Sequence, residues 1–159
     1  DFRPMSLLSL ALAVFLCAVV SAAPHDLLCR KCGYSITRHT EVLNLGASPE
    51  AKYTYEFPVL GRNTTINVFK NPAGETFHVL PTKTANLRYT GQTSGDATWF
   101  PGKQWTICVC SKCGQHMGWF FTPRGSDMTV KPPSDSFVGI VLDYVISSDY
   151  VDSLTGIPR

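Results

Sequence analysis

The chain has 159 residues, of which 44% are apolar and 16% charged, and it carries a formal net charge of +2 at neutral pH. That apolar share excludes an intrinsically disordered chain, and the length suits one domain with a sizeable core. The small net charge, with Lys and Arg scattered and forming no run, gives no electrostatic footprint for nucleic acid.

The first predicted element is MSLLSLALAVFLCAVVSAAP, an apolar stretch at 7–20 running into small residues. It reads as a secretory signal peptide over 5–22. Cleavage after Ala22 fits best, because cutting after Ala23 would leave Pro24 next to the scissile bond. The run is marginal for the ~20 residues that a bilayer span needs, and it lacks flanking basic residues. A secreted protein, or one in the secretory lumen, is therefore expected, with no membrane partner.

Beyond the signal, β-branched and alternating runs recur at short spacing: YSITRHTEVLNL, TTINVFK, ETFHVL, ANLRYT, WTICVC, GWFFTP and SFVGIVLDYVISS. Turn-forming stretches separate them: LGASPE, KNPAGE, LPTK, TGQTSGD, FPGK, TPRGSD and KPPSD. No segment sustains a 3.6-residue period over the length of a helix. The pattern predicts an all-β domain of short strands at 23–145, followed by a mobile tail at 146–159. The triplet Asn63-Thr64-Thr65, in the loop-like GRNTT, is a glycosylation sequon that a secreted chain could carry modified.

Loss of the signal removes Cys17 and leaves Cys29, Cys32, Cys108, Cys110 and Cys113, five residues that cannot all pair. CRKCG at 29–33 and CSKCG at 110–114 are near copies, and paired Cys-x-x-Cys units are the usual way to build a tetrathiolate zinc site. Two intervening residues let a tight turn aim both sulfurs at one ion, and a following glycine accepts positive φ. Cys29, Cys32, Cys110 and Cys113 are thus predicted metal ligands. Four thiolates leave no position for a reactive water, so the ion would be structural. Disulfides are the alternative in an oxidising compartment, although a Cys29–Cys32 bridge would close too short a loop to add much stability. A thioredoxin-like redox pair would need a helix after the motif, and YSITRHT does not supply one. Cys108 reads as a packed apolar residue.

All three tryptophans, Trp99, Trp105 and Trp119, fall within WFPGKQWTICVCSKCGQHMGWFF at 99–121. Trp119 and Phe121, two apart on a strand, share one face. Converging indoles suit either a small ring packed between their faces or a cation drawn to their quadrupoles. Spacing alone leaves ordinary core packing as the alternative.

The run TWFPGKQWTICVCSKCGQHMGWFFT resembles the CULT-domain family, the thalidomide-binding module of cereblon. The likeness extends to CRKC at 29–32, KNPAGE at 70–75, SDMT at 126–129 and FVGI at 137–140, covering roughly 28–144. It implies a β-tent fold of short antiparallel strands in two packed sheets, clamped by zinc. It implies that Trp99, Trp105 and Trp119 wall a cage with Phe121 as its base, and that Asn71 and Pro72 form a loop beside it. In the family a cyclic imide such as a glutarimide is held through main-chain groups, which here fall at Ala97, Thr98 and the N–H of Trp99. Ala97 replaces a histidine, and Asp96 stands for a longer glutamate. The implied ligands are thalidomide-type glutarimides, uridine-like imides and protein termini cyclised to imides. Cereblon's Lon-like and adaptor-binding regions find no counterpart in these residues, so no ubiquitin-ligase adaptor is expected as a partner. A methylated or quaternary ammonium ligand is the second possibility, if Asp96 or Glu75 faces inward.

CGQHMGWFF also resembles the second knuckle of the B-type methionine sulfoxide reductases, whose chemistry needs a nucleophilic cysteine on a later strand. No cysteine follows Cys113, and Trp119 stands where those enzymes carry a histidine. A binding module rather than an enzyme is expected. His116 is expected to pack or hydrogen-bond rather than ligate, and His25, His39 and His78 are assigned no chemistry.

Overall fold

The computed structural model describes residues 25–127 and 131–155. The expected signal peptide at 5–22, residues 128–129 of the SDMT run and the last four residues lie outside the described residues. The elements in chain order are β1 (Asp26–Cys29), β2 (Ser35–Arg38), β3 (Tyr53–Val59), β4 (Arg62–Lys70), β5 (Thr76–Thr82), β6 (Leu87–Ser94), β7 (Lys103–Cys110), β8 (His116–Pro123), β9 (Phe137–Val141), β10 (Val145–Ser147) and α1 (Ser148–Thr155). Every strand pairing is antiparallel. The described strands form two sheets, β10-β1-β2 and β3-β4-β5-β9-β8-β7-β6.

Period-two alternation sorts the large sheet's side chains onto two buried faces. Ile66, Leu80, Met117, Phe120, Val138 and Ile140 meet Leu27, Ile36 and Val145 of the small sheet in the main core. On the opposite face Phe69, Phe77, Val79 and Val141 form a second cluster, against which Trp99 and Trp119 pack. Strand β9 is buried on both faces, which is why FVGIV is continuously apolar rather than alternating.

The all-β expectation and its two packed sheets hold, and the departures have local causes. Strand β3, YTYEFPV, alternates but carries Pro58, a residue confined to edge strands, and β3 is indeed an edge. The LPTK stretch, read as a turn, puts Pro81 inside β5 opposite Gly139. GRNTT is not a loop: Leu60 (φ 49°) and Gly61 (φ 77°) make a two-residue turn with both residues left-handed, so β4 begins at Arg62 and the exposed Asn63 pairs with Pro58. The run SFVGIVLDYVISS supplies both β9 and β10, the latter paired to β1 at Leu27–Ser147, so pairing extends two residues into the stretch expected as a tail, which also holds the short helix α1.

Two glycines let β8 and β9 approach. A Cβ on Gly118 (φ 148°) would stand 1.9 Å from the Gly139 carbonyl oxygen, and one on Gly139 would stand 2.9 Å from the Phe121 ring. Gly118→Ala is therefore expected to cost more than ~2 kcal/mol, because backbone must move. Gly61→Ala, with nothing within 4 Å of its Cβ, should cost only the left-handed penalty of ~1 kcal/mol. Urea denaturation of the two variants measures the difference.

Candidate functional site: a four-cysteine cluster and a tryptophan-walled cavity

The two Cys-x-x-Cys units fold as copies of one another. Gly33 N–H donates to the Cys29 carbonyl (2.8 Å) and Gly114 N–H to that of Cys110 (2.9 Å), while Cys29 N–H donates to Tyr34 and Cys110 N–H to Gln115 (both 2.8 Å). Gly33 and Gly114 sit at φ 71° and 72°, the left-handed conformation that closes each turn. The turns face each other across the two sheets. The Cys29 and Cys113 sulfurs lie 3.8 Å apart, those of Cys32 and Cys110 3.7 Å apart, and all four lie within 4.8 Å of one another.

Sulfurs at tetrahedral corners about 2.3 Å from an ion stand about 3.8 Å apart, whereas a disulfide needs about 2 Å. The spacing fits a metal and not the disulfide alternative. The surroundings of Cys113 and Cys32 agree. The Gln115 N–H holds the Cys113 thiol down, to about 7. The Tyr34 N–H favours the Cys32 thiolate, yet burial and the three neighbouring sulfurs push that thiol up to about 12. Four thiolates can coexist here only beside a cation. Cys108 stays apart, fully buried, its thiol pushed up to about 12 by burial.

On the other side of the β7–β8 hairpin lies a cavity of about 360 Å³. Trp105 and Trp119 come from β7 and β8, Trp99 from the β6–β7 connection, and Phe121 from β8 directly opposite Trp105. Asn71 and Pro72 close one side from the β4–β5 turn, with Asp96 and Ala97 at another. Each ring is braced from behind. Trp99 stacks on Phe69 (4.7 Å, 1°) and meets Trp119 edge-on (4.7 Å). Trp119 also packs edge-on against Phe77 (5.1 Å) and His116 (4.7 Å), and Phe121 stacks on Phe137 (5.2 Å). The Trp105 indole N–H donates to the Asp96 carbonyl at 2.8 Å.

The polar groups divide into committed and open ones. The Asn71 amide is committed: its oxygen accepts the Glu75 N–H (2.8 Å) and its nitrogen donates to the Glu75 carboxylate (2.7 Å). Glu75 is thereby tied to the turn and is not part of the wall, whereas Asp96 is. The Thr98 hydroxyl donates to the Phe100 carbonyl, and its side chain stays out of the lining. The main-chain groups of Ala97 and Thr98 and the Trp99 N–H have no hydrogen-bond partner among the described residues. Ala97 is left-handed (φ 49°) without being glycine.

No family model matches the chain. The chain is 35% identical to protein cereblon of Gallus gallus over 107 residues, 65% of this chain and 20% of that protein. It is 34% identical to protein cereblon of Xenopus tropicalis over 107 residues, with the same coverage of each. With protein cereblon of Drosophila willistoni it shares 39% identity over 82 residues, half of this chain and 13% of that protein. The chain carries a cereblon-like domain. It spans about a fifth of the length of the curated vertebrate relatives it matches.

Within this cereblon-like domain the structure brings the four predicted cysteines together, and separately gathers Asn71, Pro72, Asp96, Ala97, Trp99, Trp105, Trp119 and Phe121 around one cavity. Thr98, also expected at the site, lies between Ala97 and Trp99 and is not among the lining residues. His116 packs behind Trp119, and burial holds it below the ordinary histidine value. The bracing rings Phe69, Phe77 and Phe137 escaped the sequence reading. Their apolar alternation signalled burial but not that they back the cavity wall. Metal-free protein titrated with cobalt(II) is expected to take up one ion with a tetrahedral thiolate spectrum. Cys113→Ser should abolish that spectrum, and Cys108→Ala should keep it.

Proposed function

We propose that the domain is a binding module whose cavity holds a small cyclic imide, free or at a cyclised protein terminus, and whose four cysteines hold a structural zinc ion. The observation that carries this reading is the row of unpartnered main-chain groups at Ala97, Thr98 and Trp99 beside three indole walls. An imide is a flat ring with one N–H donor between two carbonyl acceptors. Its faces suit packing against indoles, and its edge matches a backbone carbonyl and N–H set side by side. A cavity near 360 Å³ lies at the small end of ligand sites, the size for a ring rather than a chain. Thalidomide-type glutarimides and uridine-like rings share this edge. Asp96 is the one titratable side chain among the described lining residues, which favours holding a ligand over turning it over.

Zinc suits the four-thiolate set by its tetrahedral preference and thiolate affinity. When bound it supplies charge neutralisation and a crosslink. Cys29, Cys32, Cys110 and Cys113 fill its coordination, while their backbone N–H donors orient the sulfurs. The secretory reading of the N-terminus is retained as a proposal, and with it modification of the exposed Asn63.

The second reading, an ammonium ligand, is favoured by Asp96 at the wall. Indole fluorescence titrated with glutarimide, N-methylglutarimide and tetramethylammonium separates the two. Glutarimide is expected to bind, with loss on N-methylation and with Trp99→Ala or Trp119→Ala weakening it about a hundredfold. Preference for the ammonium ion would overturn the imide reading. Expression through a secretory route should yield protein whose glycosidase-sensitive mass is lost in Asn63→Gln. An unshifted mass in the parent protein would count against glycosylation.

A further inference from the structure

We infer that Ser48 and Asn67, neither of which lines the cavity, are positioning residues that fix the Trp99 main chain from behind. The inference rests on the cavity being the binding site. Asn67 lies in the middle of β4 with no exposed surface. Asparagine is depleted from strand interiors, and a buried amide is tolerated only when its bonds are made. Both ends of this one are engaged: Oδ1 accepts the Ser48 N–H at 2.7 Å, and Nδ2 donates to the Gly46 carbonyl at 3.0 Å. The amide thus holds the segment before β3 against the sheet. Ser48, 9% exposed, passes the constraint on. Its hydroxyl donates to the Trp99 carbonyl at 2.6 Å and accepts the Glu50 N–H at 3.3 Å.

The arrangement grips one residue at two points from a single strand face. Asn67 and Phe69 are two apart on β4 and share a side. Phe69 stacks on the Trp99 ring, while Asn67, through Ser48, holds the Trp99 carbonyl. The connection carrying Trp99 is otherwise tied at Gly95 by Arg124, at Asp96 by the Trp105 indole, and at Phe100 by the Lys103 N–H. Between Asp96 and Phe100 the Ser48 hydroxyl is the one bond from outside the connection, among the described residues, that reaches the main chain. Removing it would free the backbone rotation at Trp99 that sets how the open groups of Ala97, Thr98 and Trp99 face the cavity.

Ser48→Ala is expected to weaken glutarimide binding about tenfold, the loss of one well-made hydrogen bond in a preorganised site, while metal content stays at the parent value. Thr37→Ala serves as the control. It deletes a comparable buried hydroxyl bond, Thr37 to the Thr84 carbonyl at 2.8 Å, in the small sheet, and should lower Tm without moving Kd. Parent-like affinity in Ser48→Ala, or an equal loss in Thr37→Ala, would overturn the positioning role. Amide hydrogen exchange at Phe100 and Lys103, whose N–H groups are bonded within the connection to the Thr98 hydroxyl (3.5 Å) and the Phe100 carbonyl (3.0 Å), gives a readout without ligand and should quicken severalfold in Ser48→Ala. If the parent protein binds no glutarimide, the imide reading fails. Unchanged exchange in Ser48→Ala is the separate result that sinks the clamp.

Discussion

Four sulfurs join what backbone pairing leaves apart. Among the described residues no strand of the three-stranded sheet pairs with a strand of the seven-stranded one; the sheets meet through side-chain packing, through single bonds such as the Asn86 N–H to the Ile36 carbonyl (2.7 Å), and through the facing cysteine turns. Cys29 ends β1 and Cys110 ends β7, while Cys32 and Cys113 sit in the turns that follow. The facing pairs are 84 and 78 residues apart in sequence. An ion held by all four closes a loop of about that length, and the loop-entropy argument puts such a constraint at roughly 4 to 5 kcal/mol. The donors pull in opposite directions: the Gln115 N–H holds the Cys113 thiol down, whereas burial pushes Cys29 up, and Cys32, despite the Tyr34 N–H, is pushed up by burial with the neighbouring sulfurs. A metal at the four cysteines would thus crosslink the two sheets as well as neutralise the thiolates.

That constraint reaches the cavity only in part. The hairpin whose turn carries Cys110 and Cys113 also carries Trp105 and Trp119, but Trp105 lies five residues back along β7, roughly 17 Å at the rise of a strand. A crosslink at the turn sets the direction of the hairpin and leaves its far end to local forces. Those forces are the Gly118 and Gly139 contact, which brings β8 and β9 close enough for Phe121 to lie over Gly139, and the aromatic cluster behind the walls. The cluster and the cavity walls therefore depend on β4 and β5 as much as on the cysteine turns.

This division explains what the sequence could and could not reveal. The Cys-x-x-Cys-Gly turns are local devices, closed by bonds within six residues, so their residue types and spacing announced them. The strands with clean turn residues at their ends were legible for the same reason. Strand β3 was hidden by Pro58, and its turn by Leu60, a residue that gives no hint of left-handed backbone. The β-branched residues of β10 lie in a run that was legible, but its partner β1, over a hundred residues away, was not, so the domain's end was set too early. In the cavity, the walls carry the rare residue, tryptophan, and could be named. Their supports are phenylalanines, a serine and an asparagine whose roles arise only when the β4 face meets the β6–β7 connection.

An aromatic cage has an intrinsic fault: indole faces left open to water gain by collapsing onto one another, at about 25 cal/mol for each Å² covered. A cage that collapsed would have to be reopened by its ligand, and the cost would come out of affinity. Here each wall is held by a contact of different chemistry. Trp99 is stacked on Phe69, Trp119 is wedged edge-on by Phe77 and His116, and Trp105 is tied by its N–H to the Asp96 carbonyl. Phe77 touches both Trp99 and Trp119, which also meet each other edge-on, so these two walls form one braced unit, while Trp105 is held by its separate hydrogen bond. The Trp105 tie also ends on Asp96, the residue before left-handed Ala97, so the same bond that holds a wall anchors the start of the main-chain row. Wall and main-chain edge are thereby set relative to each other before any ligand arrives. For a ligand of the proposed kind, whose faces would meet indoles while its edge met backbone, that relative placement would lower the cost of ordering the site on binding.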